Sequence, residues 1–195
     1  MRTISLLAFG LGLSLGAGAA LGQQRELGAH EHGRGRLNMA IEGDRVSLEL
    51  EAPGADVVGF EHVAKTARQK AAVTQAKKQL LAPQALFKFP GAAGCVVADA
   101  SVDLEGGGEH EHEEAKAGSA AAKEHEAAQA GNHSNFHAQY AFNCKDPASI
   151  TVVEFGYFQA FAGAQKLEVN VITAKGQTTF EVTRAKPRID LAGMM

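Results

Sequence analysis

Residues 36–52 read RLNMAIEGDRVSLELEA. Leu37, Met39 and Ile41 alternate with Asn38, Ala40 and Glu42, and Val46, Leu48 and Leu50 alternate with Ser47, Glu49 and Glu51. Successive side chains of a strand point to opposite faces, so each run has one apolar face and one polar face. With Glu42-Gly43-Asp44-Arg45 between them, the two runs predict a β-hairpin with one side buried. Pro53-Gly54 ends it.

The same alternation recurs further along the chain. Phe136, Ala138, Tyr140, Phe142 and Cys144 alternate with Asn135, His137, Gln139 and Asn143, a strand with an aromatic core side and with His137 on its polar side. Leu167, Val169 and Val171, a turn at residues 174–177, and Thr178, Phe180 and Val182 predict a second hairpin. LFKFP (86–90) and CVVADASVDLE (95–105) read as two short strands, and residues 150–155 as another. Two helices are expected. Thr66 with Gln69 has capping-box spacing, and the helix it starts should run to about Leu81, before Pro83. Its apolar side is Ala72, Val73, Ala76 and Leu80. The second helix is read from Phe155, Phe158, Phe161 and Ala162, with Gly163 as a stop. The fold class is therefore α+β: a mostly antiparallel sheet packed by two helices on one side.

Residues 106–133 break this pattern. They read GGGEHEHEEAKAGSAAAKEHEAAQAGNH, with His110, His112, His125 and His133, six glutamates and no apolar residue larger than alanine. Such a segment cannot bury enough apolar surface to offset its ordering entropy, so it is expected to be a mobile His/Glu-rich insertion.

The chain of 195 residues opens with MRTISLLAFGLGLSLGAGAALGQQ. A basic residue, a short apolar run and the small-x-small triplet Ala17-Gly18-Ala19 have the form of a secretory signal peptide, taken as residues 1–22. The apolar run is short of the ~20 residues that span a bilayer. No second long apolar run follows, so no membrane span is expected once the signal is removed. Residues 23–195 are then of a size for a single domain. Export implies the periplasm. A formal net charge of −3 gives no reason to expect nucleic acid or an anionic membrane surface as a partner.

Two cysteines are present, Cys95 and Cys144. In an exported protein one disulfide is expected between them, and it brackets the insertion, so it is expected to clamp the insertion's two roots together. The alternative is a pair of free thiols serving as metal ligands.

Imidazole and carboxylate are the donors that suit zinc and its first-row neighbours. His30-x-His32 places two rings on one side of an extended chain, about 6.5–7 Å apart. His133 and His137 would share a face on a continuous strand but lie ~13 Å apart, unless His133 folds back as part of a loop. Zinc takes three or four ligands. A site built on His30, His32 and His137 requires the first strand to lie beside the strand 136–144, with His133, His110, His112 and His125 supplying further, exchangeable ligands. The competing readings are solvated histidines near the N-terminus, a surface histidine at His137 and a plain acidic linker. His62, beside Glu61, reads as a structural loop residue. No G-x-S-x-G, H-E-x-x-H, Cys-x-x-Cys or phosphate-binding loop occurs, so no enzyme is expected.

These motifs together resemble a known family. HEHGRGRLNMAIEGDRVSLELEAPGADVVGFEHVAKT (30–66), ALFKFPGAAGC (85–95), a His/acid-rich insertion, HSNFHAQYAFNC (133–144), LEVNVIT (167–173) and GQTTFEVT (176–183) are similar to the ZrgA-type family. These are periplasmic proteins of Gram-negative bacteria linked to zinc uptake. The resemblance implies Zn²⁺ binding in support of a high-affinity zinc ABC importer or its binding protein. The family's opening His-x-His-Gly falls on His30, His32 and Gly33, its Gly-Phe-Glu-His on Gly59–His62, and its Phe-His on Phe136-His137. Its insertion is commonly a dense His-Asp run; here it is diluted with alanine and glutamate. A different class of function would be an envelope interaction protein whose His-rich arm is incidental.

Overall fold

The computed structural model describes residues 33–106 and 133–195. The signal-like segment, His30, His32, His110, His112 and His125 lie outside the described residues.

The 36–52 alternation forms the predicted hairpin, β1 (Arg34–Glu42) and β2 (Arg45–Pro53). Their register runs from Arg36↔Glu51 to Glu42↔Arg45, leaving Gly43-Asp44 as the turn. Gly43 has φ +58°, a left-handed value that glycine adopts without a Cβ clash. A single turn, α1 (Gly54–Val58), follows, then α2 (Ala67–Leu80). The capping box is complete: Thr66 Oγ1 accepts from the Gln69 amide, and Gln69 Oε1 accepts from the Thr66 amide. One more turn, α3 (Pro83–Leu86), leads into β3 (Phe87–Lys88). β4 (Val96–Glu105) and β5 (Asn135–Asn143) come next, then β6 (Val152–Phe155) and α4 (Tyr157–Ala160). The second predicted hairpin is β7 (Lys166–Thr173) with β8 (Gly176–Thr183), and β9 (Arg188–Asp190) closes the chain.

Six strands make one sheet, in the order β4-β5-β2-β1-β7-β8, and β3-β6-β9 make a small second sheet. Every pairing is antiparallel except β1 with β7. The α+β class with mostly antiparallel sheets is therefore what forms. One face of the large sheet is the apolar face read from alternation. Leu37, Met39, Leu48, Leu50, Phe136, Phe142, Leu167, Val169 and Val182 are all buried there. They share one continuous core with Leu80, Leu86, Phe87, Phe155, Tyr157, Phe158 and Phe161 from the helices and the small sheet. The opposite face is polar and solvated, as antiparallel sheets allow. No helix among the described residues is long and apolar enough to cross a membrane.

Three expectations need correction. The 95–105 strand is not short: β4 has ten residues, with a register shift between Val97 and Asp99. The second helix is a single turn starting at Tyr157, because Phe155 is claimed by the small sheet, where it pairs with Phe87 and its amide donates to the Pro187 carbonyl. Cys95 and Cys144 do form a disulfide, but it does not clamp the insertion's roots. It ties the end of the β4–β5 ladder where Val96 faces Asn143, whereas the roots sit at the other end, where Glu105 faces Asn135. At ~3.4 Å per residue that is about 30 Å away. Strand pairing holds the roots together.

Replacing both cysteines by serine is expected to lower stability by about 4 kcal/mol in the chain-entropy model for a loop of this length. Urea unfolding of the double variant checks it. The helical and strand signals in circular dichroism should be unchanged at low urea, since the β4–β5 pairing does not depend on the bridge.

Candidate functional site at one end of the large sheet

The antiparallel pairings bring particular chain ends together. β1 and β5 both begin, and β2 and β4 both end, at the same end of the sheet. Here the chain enters from residue 32, and here it leaves toward and returns from residues 107–132.

Glycines make this crowding feasible. Gly106 has φ +76°, and a Cβ on it would sit 2.2 Å from the His133 carbonyl oxygen, so the two roots touch backbone to backbone. Ser134 is buried. Its amide donates to the Glu61 carbonyl (2.9 Å) and its own carbonyl accepts from the Gly54 amide (2.7 Å). The loop before α2 and the corner after β2 thus clasp the returning root.

On this clasp, His133 Nδ1 pairs with the Glu61 carboxylate. The Glu61 side chain is only 11 % exposed, so this carboxylate is fixed in place, while the His133 ring is half exposed. His133 does fold into a loop contact, but its partner is Glu61.

His137 lies four residues further on, within β5 on the polar face. Its cross-strand partners are Glu51 on β2 and Asp103 on β4. Directly opposed residues have Cβ atoms ≈ 4.5–5.5 Å apart, so a carboxylate stands on either side of the imidazole. A third, Glu105, reaches it with Oε2 3.3 Å from His137 Nε2. The same row continues across the sheet through Arg36 and Glu168. Arg36 lies 3.9 Å from Glu51 and 3.8 Å from Glu168, which also accepts from Arg34 at 2.7 Å. The outcome is a histidine among acids, bounded on one side by guanidinium groups.

The entry of the N-terminal stretch is pinned at Gly33. Its amide donates to Asp56 Oδ1 (2.6 Å), and its carbonyl accepts from the amides of Gln165 (3.0 Å) and Lys166 (2.8 Å). Asp56 is buried. Burial pushes the Tyr157 hydroxyl up, and the Asp56 carboxylate and Tyr140 add to the shift. Burial raises Tyr140 as well, so both phenols stay neutral.

The required adjacency of β1 and β5 is not found, because β2 lies between them. Their separation is therefore about 10 Å, two strand spacings. Alternation sets the phase of each strand but not its neighbour, and the phase is right: Arg36, Glu51 and His137 lie in one row on one face. Among the described residues no three His, Cys, Asp or Glu side chains form a group able to hold a metal ion. His133 and His137 are placed with separate carboxylate partners, at the end of the sheet to which the undescribed His-bearing segments attach.

His62 is held by neighbours in the loop before α2. Its ring stacks on Phe60 (5.0 Å), Nδ1 donates to the Val63 carbonyl (2.9 Å), and Nε2 faces the Gln69 side-chain amide (3.5 Å). Gln69 Oε1 is taken by the amides of Lys65 and Thr66, which turns its NH₂ toward His62.

A sequence model described as "ZrgA family zinc uptake protein" matches residues 29–191. The chain belongs to the ZrgA family. That match spans both described segments and the insertion between them. No curated protein matches the chain. Family membership places the chain in zinc uptake, and the acid-flanked His133 and His137 are donors of the type zinc takes in N/O sites. Glu51, Asp103 and Glu105 are not singled out by the sequence, whereas Glu61 lies in the family's Gly-Phe-Glu-His at Gly59–His62. The signal for Glu51 is its place on the polar side of the first hairpin.

The two histidine–carboxylate pairs should differ in structural worth. Glu61→Gln, at a largely enclosed carboxylate beside the clasp, is expected to cost roughly 1–2 kcal/mol. Glu105→Gln, at a side chain 70 % exposed, should change stability by less than about 0.5 kcal/mol. Denaturant unfolding of the two variants measures both.

Proposed function

We propose that this ZrgA-family chain captures Zn²⁺ in the periplasm and passes it toward a zinc ABC importer or that importer's binding protein. It does so as a binder and not as an enzyme. The observation that carries this reading is the convergence at one end of the large sheet. His133 and His137 stand there among carboxylates, and the chain leading from His30 and His32 and both roots of the His/Glu-rich insertion meet there too. Zinc is the cargo. His137 and His133 are the anchors nearest the folded scaffold, and His30 and His32 would complete a set of three or four ligands. His110, His112 and His125 would collect and exchange the ion. The signal-like N-terminus and the disulfide both support an exported location.

A competitive zinc titration of residues 23–195 tests this, run beside a variant lacking residues 107–132. Tight binding is expected to survive the deletion and to fall at least about tenfold in the double variant His30→Ala/His137→Ala, since losing a ligand or its orienting partner costs that order of affinity. Binding by none of these proteins would exclude zinc capture. Binding that vanishes with the deletion alone would move the site into the insertion.

Imidazole ligands bind metal only when neutral, so affinity is expected to fade as pH falls through ~6.5. Affinity that stays flat from about pH 7.5 to 5 in the same titration would exclude histidine ligation.

A further inference from the structure

The charge of this protein is unevenly distributed, and its net value hides that. From His62 to Ala98 the chain has Lys65, Arg68, Lys70, Lys77, Lys78 and Lys88 and not one Asp or Glu. Five of these cations lie in or just before α2. The helix turns a narrow side to the core: Ala76 and Leu80 are its buried residues. Lys70, Thr74, Lys77, Lys78 and Leu81 recur at intervals of three and four, so they form one stripe along an outer flank. Lys70 and Lys78 are exposed and Lys77 partly so, and Leu81, at the end of the stripe, is 48 % exposed. Lys65 and Arg68 extend the charge around the first turn.

No carboxylate among the described residues pairs with this face. Among the described residues, none of the six cationic side chains forms an ion pair or hydrogen bond, while Arg34, Arg36 and Lys166 elsewhere all do. Of the elements packed on α2, α3 has no charged residue, and α1 has only the buried Asp56.

We propose that the outer face of α2 is a docking surface for anionic phospholipid headgroups. Its composition favours a lipid surface over a protein partner. Protein interfaces concentrate their energy in Trp, Tyr and Arg anchors seated in pockets, and this flank has lysines, alanines and a threonine with no aromatic residue. Lysines spread along a helix suit headgroups that move to meet each charge, with the aliphatic stems and Leu81 lying toward the interface. The apolar side of α2 is already committed to the core, so the attachment is electrostatic, reversible and salt-sensitive. It would hold the zinc-binding end of the sheet near a membrane.

The test is co-sedimentation of residues 23–195 with vesicles of phosphatidylcholine alone and of phosphatidylcholine with about one-quarter phosphatidylglycerol. Binding is expected only with phosphatidylglycerol at about 50 mM salt, with loss at about 0.5 M salt. The triple variant Lys70→Gln/Lys77→Gln/Lys78→Gln should bind at least about tenfold more weakly. Among the described residues these side chains make no hydrogen bond or ion pair, so an unchanged melting curve is expected and will show that the variant is folded. Binding independent of phosphatidylglycerol, or a triple variant that binds like the parent, overturns the proposal. So does a parent protein that ignores the anionic vesicles. If a variant lacking residues 107–132 then binds them, the face belongs to the chain's own acidic segment instead.

Discussion

β5 is paired along its whole length on both sides, and the rest of the structure follows from that. Its nine residues match β2 from Asn135↔Pro53 to Asn143↔Arg45, and β4 from Asn135↔Glu105 to Asn143↔Val96. A strand with both edges satisfied cannot slip by one residue without turning Phe136, Tyr140 and Phe142 out to water. Those three side chains are buried. Phe142 packs edge-on against Phe89, and Tyr140 packs against Phe87 of the small sheet. The register of β5 therefore decides how the second layer sits on the first.

The same register decides where chemistry can occur. Phase puts His137 on the solvated face, and pairing puts Glu51 and Asp103 beside it. Direction puts the roots of the His/Glu-rich insertion at one end of the ladder and the disulfide at the other. The division is physically sensible. The bridge restrains the end far from the insertion, and backbone pairing with the Glu61–Ser134–Gly54 clasp restrains the end where the insertion attaches. A covalent clamp is not needed where so many backbone hydrogen bonds already meet.

Electrostatics separates the surface into two regions. The polar face of the large sheet is laced with cross-strand pairs such as Arg34–Glu168 and Arg36–Glu51, and excess carboxylate gathers around His137. The outer side of α2 is basic, and its cations form no ion pair among the described residues. The acid-flanked histidines and the lysine-rich face thus occupy different elements. That is why a net charge near zero said little about either.

The sequence by itself determined the main strands, the long helix and which side of each is buried, because alternation and capping are local. The hairpin 36–52, the aromatic strand 136–144 and the Thr66–Gln69 cap could all be read directly. The candidate donor types, histidine and carboxylate, could be read as well. Only the tertiary structure decided neighbours. Period-two patterning carries no information on whether β5 lies beside β1 or β2, nor on the parallel pairing of β1 with β7, because side-chain phase is the same either way. Nor could local pattern show that Phe155 would join a second sheet, or which carboxylates would stand around His133 and His137. Those are long-range pairings, selected by how whole strands share one core.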